Sequence, residues 1–363
     1  MERLDRSSRA LHLDLMKACA LLLMPFLHAV YHFEFEGFFA PEFPMGQVSY
    51  VLGVLYNFVP GVFLFCLGCG TVLTRHDTPE AFARRGKRLI LLGFALNLLR
   101  FTPFYLIKGL FLGDMAGFSR AWLWVIGSDV LPFAGMSFLC FAGFQKWRFP
   151  DWAMLVFGLA CTVGQMLLPV PHMTGTLGHL LGNFIFVDGG AAYFPFLSWI
   201  IYPCLGCYYQ SRLQKTKHPA RFHLLLGLGC AALFAASAVV LKRRGKWQKR
   251  YLLWGEGDFR MDLPTTWFAG LAGGVWLSVA YFLARGLNRF RIRNWLSAFF
   301  KQVTSFYCIH WLVLMYGLLA CRLRGSRKKI RSAGAFAAVS GAIVLISAVI
   351  TVFRALSRLS KRT

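Results

Sequence analysis

Acidic side chains are scarce in this chain of 363 residues, where 15 Asp and Glu stand against 40 Lys and Arg. In a soluble protein that imbalance would point to nucleic acid. It does not here, because the basic residues cluster between apolar segments, as the positive-inside bias and attraction to anionic headgroups require. Also missing is any polar stretch long enough for a soluble domain of ordinary size. No internal repeat, linker or low-complexity tract divides the chain, and the lack of inverted repeats counts against a transporter built from two matching halves. The opening MERLDRSSRALHLDLMKACALLLMPFL begins like a secretory signal, yet no small-x-small cleavage site follows it.

What is abundant is apolar material. Hydrophobic residues make up 57% of the chain, more than soluble cores of this length bury. Hydropathy and loop charge predict about ten membrane-spanning helices, since a span needs about 20 apolar residues. They fall at 11–31, 48–74, 88–107, 120–144, 151–169, 193–210, 221–241, 264–284, 295–320 and 333–353. The expected fold is therefore an all-α polytopic bundle forming one membrane-embedded domain over 1–363, with a short basic tail at 354–363 and both termini cytoplasmic. Segments 75–88, 145–150, 211–221 and 285–294 are basic and the loop 32–47 is acidic, as that orientation asks. Two basic loops, 242–250 and 322–331, fall on the opposite side. Either the count is off by a pair of spans or these loops serve an anionic ligand. Residues 177–187 are too short to span and predict a re-entrant or interfacial piece. Ten cysteines are scattered through the apolar runs, and the pairs at 66/69 and 204/207 read as small packing residues.

Ionisable residues inside apolar runs are costly in a bilayer and mark functional sites. The first span carries Asp14, Lys17, His28 and, at its end, His32. At 100° per residue the step from Lys17 to His28 is three turns plus about 20°, so both project from one face roughly 16 Å apart. His32 follows one turn later on that face. A zinc reading of His28 and His32 fails for want of an HExxH pattern, and no metal is expected. Asp129, expected in mid-helix within WVIGSDVLPFAGM, needs a partner, for which Lys17 and His28 are the candidates. His310, beside Ser305 and Tyr307 in FYCIHWLVL, either assists the site or bonds across helices. Trp199 and Tyr202 are belt aromatics or acceptor-stacking residues. His172, His179 and Asp188 lie in the long outer connection and are further candidates for acceptor contact.

The stretch LDLMKACALLLMPFLHA resembles the opening helix of the transmembrane acyltransferases, the group that holds the acyltransferase-3 enzymes and the heparan-alpha-glucosaminide N-acetyltransferase-like proteins. In that group a Leu-Asp pair is followed three residues later by a polar or basic residue, usually Arg, and after ten more by His. Asp14, Lys17 and His28 stand in those places, with Lys where Arg is usual. GVFLFCLGCGTVLTR followed by RRGKRLILLGFALNLLR, then SDVLPFAGMSFL, FPFLSWIIYPCLGCYYQSRL and TSFYCIHWLVL are similar to later segments of the family in the same order. The Phe-Pro-Trp and Asp129 segments lean toward the heparan-acetyltransferase side.

The resemblance implies an acyltransferase that moves an acyl group, acetyl first among candidates, from cytosolic acetyl-CoA or another acyl-CoA to a sugar hydroxyl or amine of a glycan or glycolipid. An imidazole titrating near neutrality can deprotonate the acceptor or carry the acyl group, so His28 is the expected base or nucleophile. Lys17, Asp14 and Asp129 complete the expected catalytic set. Arg84, Arg85, Lys87 and Arg88 are expected to bind the phosphates of the acyl-CoA, and His32, Trp199, Tyr202 and His310 the acceptor. The partners are then acyl-CoA, a glycan acceptor and the lipid bilayer, with a homodimer open, no nucleic acid, and the inner membrane of a bacterium as the setting that suits the family. A proton-coupled transporter and an inactive membrane sensor or scaffold are the rival readings, because intramembrane Asp, Lys and His also build proton relays.

Overall fold

The computed structural model describes residues 11–32, 46–74, 78–113, 115, 121–167, 175–186, 193–246, 263–287, 302–323 and 333–360. Every regular element among them is a helix: α1 (Leu11–His32), α2 (Gly46–Leu73), α3 (Pro79–Leu112), α4 (Ala121–Val125), α5 (Val130–Lys146), α6 (Asp151–Leu167), α7 (Gly175–Ile185), α8 (Phe196–Trp199), α9 (Ile201–Lys215), α10 (Pro219–Arg243), α11 (Leu263–Leu287), α12 (Val303–Leu323) and α13 (Ala333–Ser360). Six stretches are long and apolar enough to cross a membrane, namely Leu11–Ala29, Pro79–Phe111, Pro219–Arg243, Leu263–Leu287, Val303–Leu323 and Ala337–Arg354, and shorter apolar helices accompany them. The chain is a polytopic membrane protein. Its outer surface is lined by Leu91, Leu98 and Leu99 of α3, Leu224, Leu225 and Leu228 of α10, and Leu345, Val349 and Phe353 of α13, the side chains a lipid solvent accepts.

Helix pairs approach closely where glycine removes a side chain, as in other membrane bundles. Gly86 and Gly135 face one another across α3 and α5, so that a Cβ on either would meet the other's carbonyl oxygen within 2.7 Å. Gly68 of α2 and Gly206 of α9 interlock in the same way against Pro203 and Phe65. The cysteines do their packing here: Cys69 donates its Sγ–H to the Gly206 carbonyl and Cys207 to that of Gly68, each at 3.3 Å.

Two expected continuous spans are interrupted. In place of one helix over 120–144 there are α4 and α5, with Asp129 as the N-cap of α5, where its carboxylate accepts from the Val130 amide at 2.7 Å. Asp129 is thus a helix cap and not a mid-helix residue. Non-helical backbone at this depth must find partners inside the protein. Asn97 of α3 supplies them, donating from Nδ2 to the carbonyls of Val125 and Gly127 at 3.1 and 3.2 Å. Ser128 docks the break onto the start of the next segment, its hydroxyl donating to the Phe194 carbonyl at 2.8 Å. The second interruption separates α8 from α9 at Ile200.

Helix α1 lies centrally, packed on α2, α11, α12 and α13. Its contacts fix the direction of its neighbours. The N-terminal residue His12 meets the start of α10 (His223) and the far ends of α9 (Tyr209) and α11 (Tyr281). His28 and His32, toward the other end, meet α12. Lys242 and Arg243, at the C-terminal end of α10, therefore share an end of the bundle with His32. Arg244 and Lys246, which follow α10 directly, stand on the side away from His12.

Candidate active site

His28 is held by α12. Its Nδ1 lies 3.1 Å from Nε2 of His310, and its ring centroid is 4.1 Å from that of Trp311. The proton positions follow from an acceptor that can only accept. His310 Nδ1 is 3.3 Å from the Phe306 carbonyl oxygen, so Nδ1 carries the hydrogen of neutral His310 and its Nε2 carries a lone pair. His28 must then donate from Nδ1 to His310. Its own Nε2 is left with the lone pair, the atom a base or nucleophile needs. Pro25, one turn earlier, has no N–H to give the Leu21 carbonyl, which loosens α1 just before His28.

Behind Trp311 sits a group the sequence reading overlooked. Arg100, on α3, is 2% exposed, and its guanidinium carbon is 4.1 Å from the centre of the Trp311 ring and 4.4 Å from that of Phe101. One nitrogen, Nη2, donates to Asn97 Oδ1 at 2.8 Å and to Asp129 Oδ2 at 2.5 Å. Asp129 Oδ2 also accepts from the Tyr307 hydroxyl at 2.8 Å. The partner of Asp129 is therefore Arg100, and neither Lys17 nor His28. Arg100 Nε and Nη1 have no hydrogen-bond partner among the described residues. Leaving buried donors unsatisfied costs about 1–3 kcal/mol per group and more for charged ones. The signal for Arg100 was available: a lone arginine in the apolar run LLGFALNLLRFTPFYL is a costly intramembrane charge in the same sense as Asp129.

The other predicted residues distribute around this centre. His310 is brought directly to His28, and His32 meets the edge of Trp311 with ring centroids 5.6 Å apart. Lys17 pairs with Asp14 at 3.8 Å, one turn along the same helix and well short of His28. Arg84, Arg85, Lys87 and Arg88 are all exposed on the N-terminal part of α3, and Arg85 also has its guanidinium carbon 4.5 Å over the Phe138 ring. Twelve residues of helix separate Arg88 from Arg100, about 18 Å along the axis. Trp199 is wholly buried and Tyr202 nearly so. They stand against Phe194 and each other, with Tyr202 lying on Gly61 of α2, so neither is a belt aromatic. His172 and Asp188 lie outside the described residues, and His179 falls on α7.

A second buried polar cluster, also unforeseen, occupies the opposite end of α1. The Tyr209 hydroxyl lies 3.3 Å from His12 Nε2 and 3.2 Å from His223 Nε2, and His223 stacks on Tyr281 at 3.8 Å. His12 and His28 are sixteen residues apart on one helix, about 24 Å.

Among known families, the model of the heparan-alpha-glucosaminide N-acetyltransferase catalytic domain matches residues 9–240. No curated protein matches the chain. The matched segment holds Asp14, Lys17, His28, Arg100, Asp129 and the basic turn, whereas Tyr307, His310 and Trp311 lie beyond it.

Proposed function

The chain belongs to the heparan-alpha-glucosaminide N-acetyltransferase family, a family of acetyltransferases, and we infer from that premise that this member carries an acetyl group from acetyl-CoA to a hydroxyl or amine of a glycan or glycolipid, with His28 as the proton-accepting group. The observation that carries the reading is the oriented pair His28–His310, with Nδ1 of His28 committed to His310 and Nε2 bearing the lone pair. An imidazole fixed in one tautomer by a second group is the arrangement that general-base and nucleophilic transfer both use.

The donor is assigned to the α3 side. Arg84, Lys87 and Arg88 offer exposed forks and point charges suited to phosphate, and the stretch of α3 between them and Arg100 is of the order that an extended phosphopantetheine arm bridges. The acceptor is assigned to the His32 end of the bundle. There Lys242, Arg243, Arg244 and Lys246 are exposed, a charge pattern that favours an anionic acceptor.

The experiment is acetyl transfer by the purified protein in lipid nanodiscs, from radiolabelled acetyl-CoA to a panel of amino sugars and glycolipids. The parent is expected to label at least one acceptor, and His28→Ala to lose about 10²–10⁴-fold in rate. Equal labelling by His28→Ala would remove the assignment of His28. Proton flux in liposomes without acetyl-CoA would move the protein to the transporter class.

A further inference from the structure

We propose that Arg100 is a catalytic residue that binds the acyl carbonyl oxygen of the donor thioester and holds the negative charge that develops on it. The inference rests on the transfer reading given above and names the group that completes it. A guanidinium has five N–H bonds. Arg100 uses two, both on Nη2, toward Asn97 and Asp129. Nε and both hydrogens of Nη1 remain without a partner among the described residues, on a side chain that is 2% exposed.

Burial of this kind is maintained by the surroundings rather than tolerated by solvent access. Asn97 and Asp129 hold Nη2, while the rings of Phe101 and Trp311 lie against the guanidinium. Asp129 is itself anchored by the Tyr307 hydroxyl and the Val130 amide, so Nη2 is held in place and the guanidinium cannot rotate to offer its other nitrogens to the same partners. What remains is three N–H bonds in fixed directions, one on Nε and two on Nη1, each able to donate to an oxygen.

The position is set by Trp311. Its ring lies 4.1 Å from Arg100 on one count and 4.1 Å from His28 on the other, so two van der Waals steps join the guanidinium to the imidazole. Both groups border the ring of Trp311, and a thioester seated at the edge of that ring would present its carbonyl oxygen to Arg100 and the attacking acceptor to His28. His28 Nε2 takes the proton of the acceptor O–H or N–H, and the acceptor's electron pair forms a bond to the thioester carbon. The carbonyl π pair moves to oxygen, where Arg100 donates to it. On collapse the C=O re-forms, the C–S bond breaks, and the proton on His28 passes to the departing sulfur. Donors already aimed at the developing charge require no reorganisation as it forms, which is the source of such stabilisation.

The test uses acetonyl-CoA, in which a ketone replaces the thioester, labelled with ¹³C at the ketone carbon. It is bound to the whole protein in nanodiscs and its carbonyl stretch read by isotope-edited infrared spectroscopy. The bound band is expected below its aqueous frequency. With Arg100→Lys, a single ammonium that pairs with Asp129, the band is expected to return toward the aqueous value while the analogue's Kd changes by less than about tenfold, and kcat is expected to fall about 10²–10³-fold. A wild-type band at or above the aqueous frequency overturns the proposal, with no variant needed. So does an Arg100→Lys protein with unchanged kcat or an unchanged band. Failure of the analogue to bind at all removes the acetyl-CoA donor together with this inference, whereas binding without a shift removes the inference alone.

Discussion

Which nitrogen of a neutral histidine reacts is decided by what the other one bonds. For His28 the answer lies four residues upstream of its partner, in the Phe306 carbonyl that fixes His310. His310 is then an acceptor for His28 in the way a carboxylate or amide would be, and its substitution separates orientation from packing. His310→Gln retains a side-chain oxygen that can accept from His28 Nδ1, whereas His310→Phe retains the ring and loses the acceptor. The expected order of acetyl-transfer rates is parent, then Gln, then Phe, with Phe about 10²-fold below the parent. If His310 only fills space, Phe will be the better replacement and the order will reverse. His28 itself was legible because an imidazole deep in an apolar run is conspicuous. Its dependence on His310 was not, since nothing in either segment specifies that helices 282 residues apart in sequence will meet.

At the scale of elements, the positions of helix ends and contacts were unevenly readable. Hydropathy identifies long apolar helices because lipid demands their length. It is blind to a four-residue break whose backbone is satisfied from within, and so α4 and α5 read as one span. The Ser128–Asp129 pair ahead of an apolar run is an N-cap signal that would have located the start of α5. Close helix packing was equally hidden, because a glycine that admits a neighbouring backbone looks the same in sequence as one facing open space. Gly206 and Gly143 make the contrast measurable. A Cβ at Gly206 would lie 2.0 Å from the Phe65 carbonyl oxygen, while at Gly143 nothing lies within 4 Å. Gly206→Ala is expected to destabilise by at least about 1–3 kcal/mol, since the atoms it meets are backbone. Gly143→Ala is expected to be neutral or to stabilise by up to about 1 kcal/mol through helix propensity. Thermal unfolding of the two variants in the same detergent checks both, and similar transitions would mean that α2 and α9 are not interlocked as described.

Across the whole molecule, α1 carries two polar centres at its two ends, with His12, Tyr209 and His223 near one and His28, His310 and Arg100 toward the other. Charge is divided along the same axis. The exposed Arg84, Lys87 and Arg88 begin α3, and the exposed Lys242, Arg243 and Arg244 close α10 at the His32 end. The second group conflicts with a plain positive-inside reading, which is why it stood out in the sequence. If it serves to gather an anionic acceptor, its contribution is electrostatic, acts on encounter, and is screened by salt over about 8–10 Å at ordinary ionic strength. Replacing Lys242, Arg243 and Arg244 together by Gln should then raise the KM for a sulfated or phosphorylated glycan several-fold, flatten its dependence on salt, and leave the kcat and the KM for acetyl-CoA unchanged. A neutral acceptor serves as the internal control, because its KM should not move. Equal losses for neutral and anionic acceptors would show that the α10 end supports the fold rather than the encounter, and the acceptor's charge would have to be sought from the other face of the bundle.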